Sequence, residues 1–318
     1  MIQTVCGPIE PGELGFCHSH EHIMLAKGRP FLVDESQCMD DYEKSLAELG
    51  LFKSVGGSAI VDCQPVGAGR MAAELKALSK QSGVHIVAST GFHKAMFYEK
   101  GHWVFVTDEE HLRELFLHEL TVGMYVDTEQ GLYEDFCNSR AGVIKVAYDI
   151  VGLDSHYTRL FAAAAAAQVK TGAPMVIHID NGADPLVVDK FLDERGIAPK
   201  KRIYCHLDRA VADVSVHIEL CRRGCFVEYD TICRPKYHDD AAEIDIIRRV
   251  IDAGYADRIL LGMDSTNKRL KAYGGEIGLD YIKNVFLPKM ENNGISSELT
   301  DAFMTMNPMR AFNMREEH

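Results

Sequence analysis

No apolar run in this 318-residue chain is long enough to span a bilayer, which leaves no transmembrane helix to expect. Its opening, MIQTVCGPIEPGELGF, has no basic stretch followed by an apolar core. A secretory signal is therefore not expected, and a cytoplasmic location is. Cysteines number nine, an odd count, and no two form a CxxC pair. That excludes a disulfide framework and fits free buried thiols in a reducing compartment. Basic residues are scarce, with 34 Lys and Arg against 47 Asp and Glu and a formal net charge of −13. Nucleic acid and anionic membranes reward basic faces, so neither is expected as a partner. No Pro/Ser-rich linker and no sharp change of composition divides the chain. Residues 1–318 read as one domain, since barrels are the usual exception to one domain per roughly 150 residues.

What is present is an alternation of short β-rich runs with longer helical patterns. Strands are expected near residues 15–18, 58–63, 84–89, 142–147, 174–178, 202–206, 225–230 and 258–263. The helical patterns between them run over Asp41–Ser54, Met71–Ser82, Glu109–Tyr125 and His156–Thr171. They continue over Pro185–Arg195, Asp208–Arg223, Ala241–Ala253 and Gly278–Glu291. Eight such units predict an α/β fold, a (β/α)₈ TIM barrel without a free sheet edge. Gly172 and Gly224 stand where helix C-caps are needed. The alanines of 162–167 suit a small-residue helix face packed on the barrel. Leu299–Met314 is expected to form short helices that close it.

The strand ends carry an unusual set of side chains. His20 and His22 lie in HSHEHI, Lys145 in GVIKVAYD, His178 in MVIHID, His206 in IYCHLD and Asp264 in LLGMDST. Residues so distant in sequence share one site only if strand ends converge, as they do at the top of a barrel. On an extended strand His20 and His22 point the same way. His18 shares that parity and competes for the role. One inward histidine is more often a hydrogen-bonded core residue, but two in register with His178 and His206 favour a metal.

Lys145 is flanked by apolar residues, where an unpaired ammonium costs several kcal/mol. A salt bridge to Asp149 is the plain explanation. The chemical one is reaction with CO₂ to give a carbamate, an anionic ligand with two oxygens. Such a group suits two metals ~3.5–4 Å apart that share one activated water. Asp264 completes the cluster and can accept the proton.

These motifs, with AAAAAQVKTGAPMVIHID, IVDCQPVGAGR and ASTGFH, resemble over essentially the whole chain the phosphotriesterase-like family of the amidohydrolase superfamily. The resemblance implies a binuclear site, commonly zinc, with manganese or cobalt as alternative occupants. His20, His22 and Asp264 would hold one metal and His178 and His206 the other, bridged by Lys145 carboxylated by CO₂. It also implies a hydroxide between the metals that attacks the substrate carbonyl while Asp264 takes the proton. Relatives are often dimers, so a homodimer is an open expectation.

The loops after strands seven and eight, DTICRPKYHDD and STNKRLKAYGG, hold Arg234, Lys236, Lys268, Arg269 and Lys271. Five cations at one mouth of an acidic protein suggest a small anionic substrate, and barrels often seat phosphate there. Lys236, Arg269 and Tyr273 look similar to the phosphate grip of the family's sugar-phosphate lactonases. The leading expectation is therefore a lactonase for phosphorylated sugar lactones. A phosphotriesterase or other ester hydrolase is the alternative, although the single tryptophan, Trp103, and a polar strand-seven loop suit neutral triesters poorly. A non-catalytic metal-binding barrel is the remote third, opposed by the complete ligand set. Asp230 is followed by Thr231, so a relay through a second titratable residue is missing. Asp208 is expected behind the metals, orienting a water or pairing with Arg209, and His93 is a candidate for substrate contact.

Overall fold

The computed structural model describes residues 1–129, 131 and 135–314. Eight parallel strands follow one another around the sheet in chain order. They are β1 (Cys17–Glu21), β2 (Ala59–Asp62), β3 (His85–Gly91), β4 (Val143–Tyr148), β5 (Met175–Ile179), β6 (Arg202–Cys205), β7 (Phe226–Tyr229) and β8 (Ile259–Leu261). The seam between β8 and β1 is drawn together at its top. Met263 N and Asp264 N donate to His20 O at 3.2 and 3.0 Å, and Ser19 Oγ donates to Leu261 O at 2.7 Å. Gly262 permits this, because a Cβ there would lie 2.8 Å from the His20 backbone. The result is a TIM barrel.

Alternation divides the apolar residues into two layers. Cys17, Val61, Val87, Val143, Val176, Ile203, Phe226 and Leu260 fill the barrel interior. Ile60, Ile86, Ile144, Ile177, Tyr204, Val227 and Ile259 face the helices. The lower end of the interior is stoppered by Ile2, Leu14, Ala311 and Phe312. The last two end the second of two short helices, Ser297–Met304 and Met306–Ala311, that close the barrel as the sequence suggests.

Around the barrel lie α1 (Tyr42–Ser54), α2 (Ala72–Ser82), α3 (Glu109–Thr121), α4 (Ser155–Thr171), α5 (Pro185–Asp193), α6 (Val214–Arg223) and α7 (Asp240–Asp252). Six of them start on an aspartate whose side chain accepts from a backbone N–H in the first turn: Asp41, Asp108, Asp154, Asp184, Asp213 and Asp239. Each cap stabilises its helix by about 1 kcal/mol, so part of the acidic excess serves the fold. Gly172 and Gly224 end α4 and α6 in the left-handed conformation.

Three expectations are corrected. The first strand is Cys17–Glu21, not 15–18, so His20 lies within it. The Asp208–Arg223 pattern breaks into a turn, Leu207–Ala210, followed by α6. The last helical pattern opens as a π-turn, Ile282–Phe286, before Leu287–Asn292. Pro288 lacks the N–H that a regular helix would send back to Asn284, and the wider turn accommodates it. All nine cysteines are free, though Cys6 is exposed. No described helix is long and apolar enough to cross a membrane.

Candidate metal centre

The register of β1 against β2 shifts between His18 and Glu21. This bulge reverses the parity expected of an unbroken strand. His18 turns outward, its ring meeting Phe52 of α1 edge-on at 4.7 Å and its Nδ1 2.7 Å from Glu21 Oε1. His20 turns inward, so the competition between the two is settled by backbone geometry. His22 follows at the strand exit.

Six side chains then converge. Ligand atoms of His20, His22 and Asp264 lie within 4.8 Å of one another. The rings of His178 and His206 meet edge-on at 4.5 Å, and the His20 and His206 rings are 4.8 Å apart. Lys145 is buried beneath them, with Nζ 3.3 Å from His20 Nε2 and 3.3 Å from Cys205 Sγ. Asp149 is not its partner, since that carboxylate accepts from Tyr157 OH at 3.0 Å. His206 and Asp264 have φ of +64° and +47°. Two non-glycine residues in left-handed backbone at one site mark conformations held by their surroundings.

Those surroundings are specific. Asp264 is carried on a loop that Glu21 grips by accepting from Met263 N and Ser265 N at 3.1 and 3.3 Å. Arg269 holds the same loop from the other side, donating to Met263 O and Ile232 O. Two carboxyls of β7 and its exit orient the imidazoles. Glu228 Oε2 lies 2.7 Å from His20 Nδ1, and Asp230 Oδ1 lies 2.6 Å from His206 Nδ1. Both rings therefore turn Nε2 towards the centre. Asp208 anchors this layer: its Oδ2 accepts from Asp230 N, Thr231 N and Thr231 Oγ1 at 2.9, 2.7 and 2.7 Å. It pairs with the backbone N–H of Arg209, not the guanidinium.

The electrostatics suit a cation. Burial pushes the imidazoles of His20 and His206 well below the ordinary histidine range, and that of His178 down to about 3. Each keeps a neutral ring with a lone pair. Burial raises Glu228 and Asp230, helped for Asp230 by its acidic neighbours Asp208 and Glu228. For Asp264 burial pulls upward, but the Arg234 guanidinium and His22 hold the carboxyl well below its usual value. His22 Nδ1 and His178 Nε2 are buried without a hydrogen-bond partner. The neutral imidazoles of His20, His178 and His206, gathered with His22 around the ionised Asp264, fit the donor set of divalent metals.

The centre opens into a cavity of about 590 Å³. Arg234, Lys236, Arg269 and His93 line it as well, whereas Tyr273 and Asp208 do not. Tyr273 faces a separate shallow depression beside Lys44, with its OH donating to Asp41 O at 2.9 Å. Arg269 is buried, both terminal nitrogens engaged with carbonyls, and burial brings its pKa down to about 10. Two lining residues, Arg209 and Tyr237, and the buried Glu228 were not singled out as site residues from the sequence. Glu228 had a signal: a lone acid in the apolar FVEY, in phase with Asp230.

A model of the phosphotriesterase family matches residues 1–312. Among curated relatives, the N-acetyltaurine hydrolase of Danio rerio is 28% identical, the alignment covering 97% of both chains. That of Homo sapiens is 27% identical over 96% of both. A lactonase from Listeria monocytogenes superposes with a TM-score of 0.89 at 26% identity, covering 99% of both chains. An amidohydrolase from Mycoplasma synoviae superposes at 0.93 with 27% identity, covering 100% of this chain and 93% of the other. Family model, barrel and strand-end cluster agree, and the chain belongs to the phosphotriesterase family.

Proposed function

We propose that this protein hydrolyses small anionic substrates at a carbonyl ester or amide bond, using two divalent metal ions and a carboxylated Lys145. Zinc is the leading occupant, with manganese and cobalt as alternatives, because imidazole and carboxylate donors suit all three. The observation that carries the reading is a cation-lined cavity, with Arg209, Arg234, Lys236 and Lys268, directly above the buried histidine cluster. His20, His22 and Asp264 would hold one ion and His178 and His206 the other. When bound, the ions supply Lewis-acid polarisation of a carbonyl and an ionised water at neutral pH.

The chain's own groups supply orientation and charge. Asp264 keeps its negative charge at the centre and is the carboxylate placed to take a proton. Lys94 N donates to His93 Nδ1 at 2.8 Å, which fixes the ring's proton on Nε2 and makes it a donor in the cavity. The cationic rim orients an anionic substrate over the reacting centre. Trp103 is turned away from the cavity, with Nε1 donating to Thr128 O at 2.8 Å, so the aromatic side chains that line the mouth are Phe97 and Tyr237.

Two substrate classes meet these requirements. The phosphorylated sugar lactone keeps Lys236 of the expected phosphate grip, while Arg269 and Tyr273 are committed to protein partners. A short N-acyl sulfonate, the class named by the N-acetyltaurine hydrolases, needs only an anion seat near the metals, and it is the favoured reading. A hydrolysis screen of metal-loaded protein tests the proposal. It compares plain and phosphorylated lactones, N-acetylated amines with and without an acid group, and one organophosphate triester. Preference for anionic acyl substrates supports it; preference for the triester replaces it with phosphotriesterase activity, and no turnover at all refutes it.

A further inference from the structure

Arg209, just beyond β6, and Arg234, beyond β7, lean on the same oxygen. Arg234 Nη1 donates to Asp264 Oδ2 at 2.6 Å, and Arg209 Nη2 lies 3.9 Å from it. Tyr237 holds the pair together. Its OH accepts from Arg209 Nη1 at 3.1 Å, and the two guanidinium carbons lie 5.0 and 5.8 Å from its ring centroid. Both arginine side chains are less than a fifth exposed, at 15% and 18%.

Few carboxylate oxygens are left to pair with the two guanidinium groups. Asp208 and Asp230 lie near Arg209, but Asp208 is occupied by the Arg209, Asp230 and Thr231 amides and the Thr231 hydroxyl. Asp230 is occupied by His206. Among the described residues, Asp264 is the carboxylate that both guanidinium groups approach within 4 Å. Its other oxygen faces the cluster, 3.3 Å from His22 Nε2. Two partly desolvated cations this close call for a further anion, and planar guanidinium forks suit carboxylate or sulfonate oxygens.

We propose that Arg209 and Arg234 form the seat for the substrate's anionic group, and that the seat selects compact substrates. This rests on the hydrolase reading above and adds a distance to it. The arginines and the histidine cluster are separated by a single carboxylate. With hydrogen bonds of about 3 Å, the anion stands roughly two to four bonds from the scissile carbonyl. A remote phosphate on a sugar would instead reach the exposed rim lysines, Lys236 and Lys268. The favoured class is a short N-acyl amino acid or amino sulfonate, or a small lactone bearing a carboxylate.

The test uses the metal-loaded full chain and a series of N-acetyl aminoalkanesulfonates of increasing spacer length, with neutral N-acetyl ethylamine as reference. The wild type is expected to prefer the shortest sulfonate. Arg209→Met and Arg234→Met should each lower the ratio of kcat/KM for that substrate over the neutral one by about 10- to 100-fold. An unchanged ratio, or a preference that grows with spacer length, overturns the assignment. Calorimetric binding of ethanesulfonate to the wild type, Arg209→Met and Arg209→Lys needs no turnover. Binding retained by Lys and lost by Met supports the seat; equal binding by all three refutes it. Absence of turnover by the wild type with sulfonate binding intact would instead count against the hydrolase reading alone.

Discussion

Glu228 Oε2 lies 2.7 Å from His20 Nδ1, and both side chains are shut off from solvent inside the barrel. The carboxyl fixes the ring so that Nε2 faces Lys145 and the centre. Carboxylate partners of this kind raise a ligand's basicity and hold its orientation. Glu228→Leu is expected to lower metal affinity by about 10- to 100-fold, measured by competition with a chelator. Unchanged affinity would mean that the His20 ring is oriented by packing alone.

Arg269 acts as a clasp between the loops after β7 and β8. Arg269→Ala leaves the Met263 and Ile232 carbonyls without their donors inside a buried loop pair. The expected cost is about 2–5 kcal/mol of stability, read by urea denaturation. The kcat/KM ratio between phosphorylated and plain lactones should stay the same. A selective loss for the phosphorylated substrate would restore Arg269 to the phosphate grip.

His93 offers a donor whose identity is fixed by the Lys94 amide. His93→Phe keeps a ring against Phe97, 4.2 Å away by centroids, but removes the Nε2–H. It should lower kcat/KM by about tenfold, a typical single hydrogen bond, with His93→Gln recovering part of the loss. Equal values for both variants would show that only the ring's bulk matters.

Acid should weaken the fold through buried neutral histidines outside the metal centre. His102, whose Nδ1 accepts from Val104 N at 3.2 Å, is pushed down to about 4 by burial. The unfolded chain takes up this proton near pH 6.5, the folded one only near 4. Stability contributed by this residue therefore falls as pH drops through that window and levels below it. His217 is shifted in the same direction, also by burial. Denaturation midpoints between pH 7 and 4 check this, and His102→Gln should flatten the slope. A midpoint independent of pH over that range contradicts it.

The barrel and the convergence of six side chains at its strand ends were legible in the sequence because each depends on local pattern. Apolar runs of strand length mark the barrel, and His, Lys or Asp side chains at the ends of five of them mark its upper rim. What escaped depended on features that pattern does not encode. The bulge in β1 separates His18 from His20, although simple parity groups them. Tyr273 and Arg269 sit in a basic, aromatic loop that looks like a phosphate grip, yet their partners, Asp41, Ile232 and Met263, are set by loop packing. For Asp208 the sequence leaves two roles open, orienting a water or pairing with Arg209, but the chain turns at Leu207–Ala210 and sends that guanidinium to Tyr237 and Asp264.

The central claim is that Lys145, converted to a carbamate, joins two metals in one site. Elemental analysis of protein purified with zinc and bicarbonate tests it most directly, alongside Lys145→Ala and an intact-mass measurement. The account predicts two ions per wild-type chain and a mass gain of one CO₂. In Lys145→Ala it predicts loss of that mass gain, of at least one ion and of most turnover, with the fold retained. One ion in the wild type, or two ions and full turnover in Lys145→Ala, would contradict it.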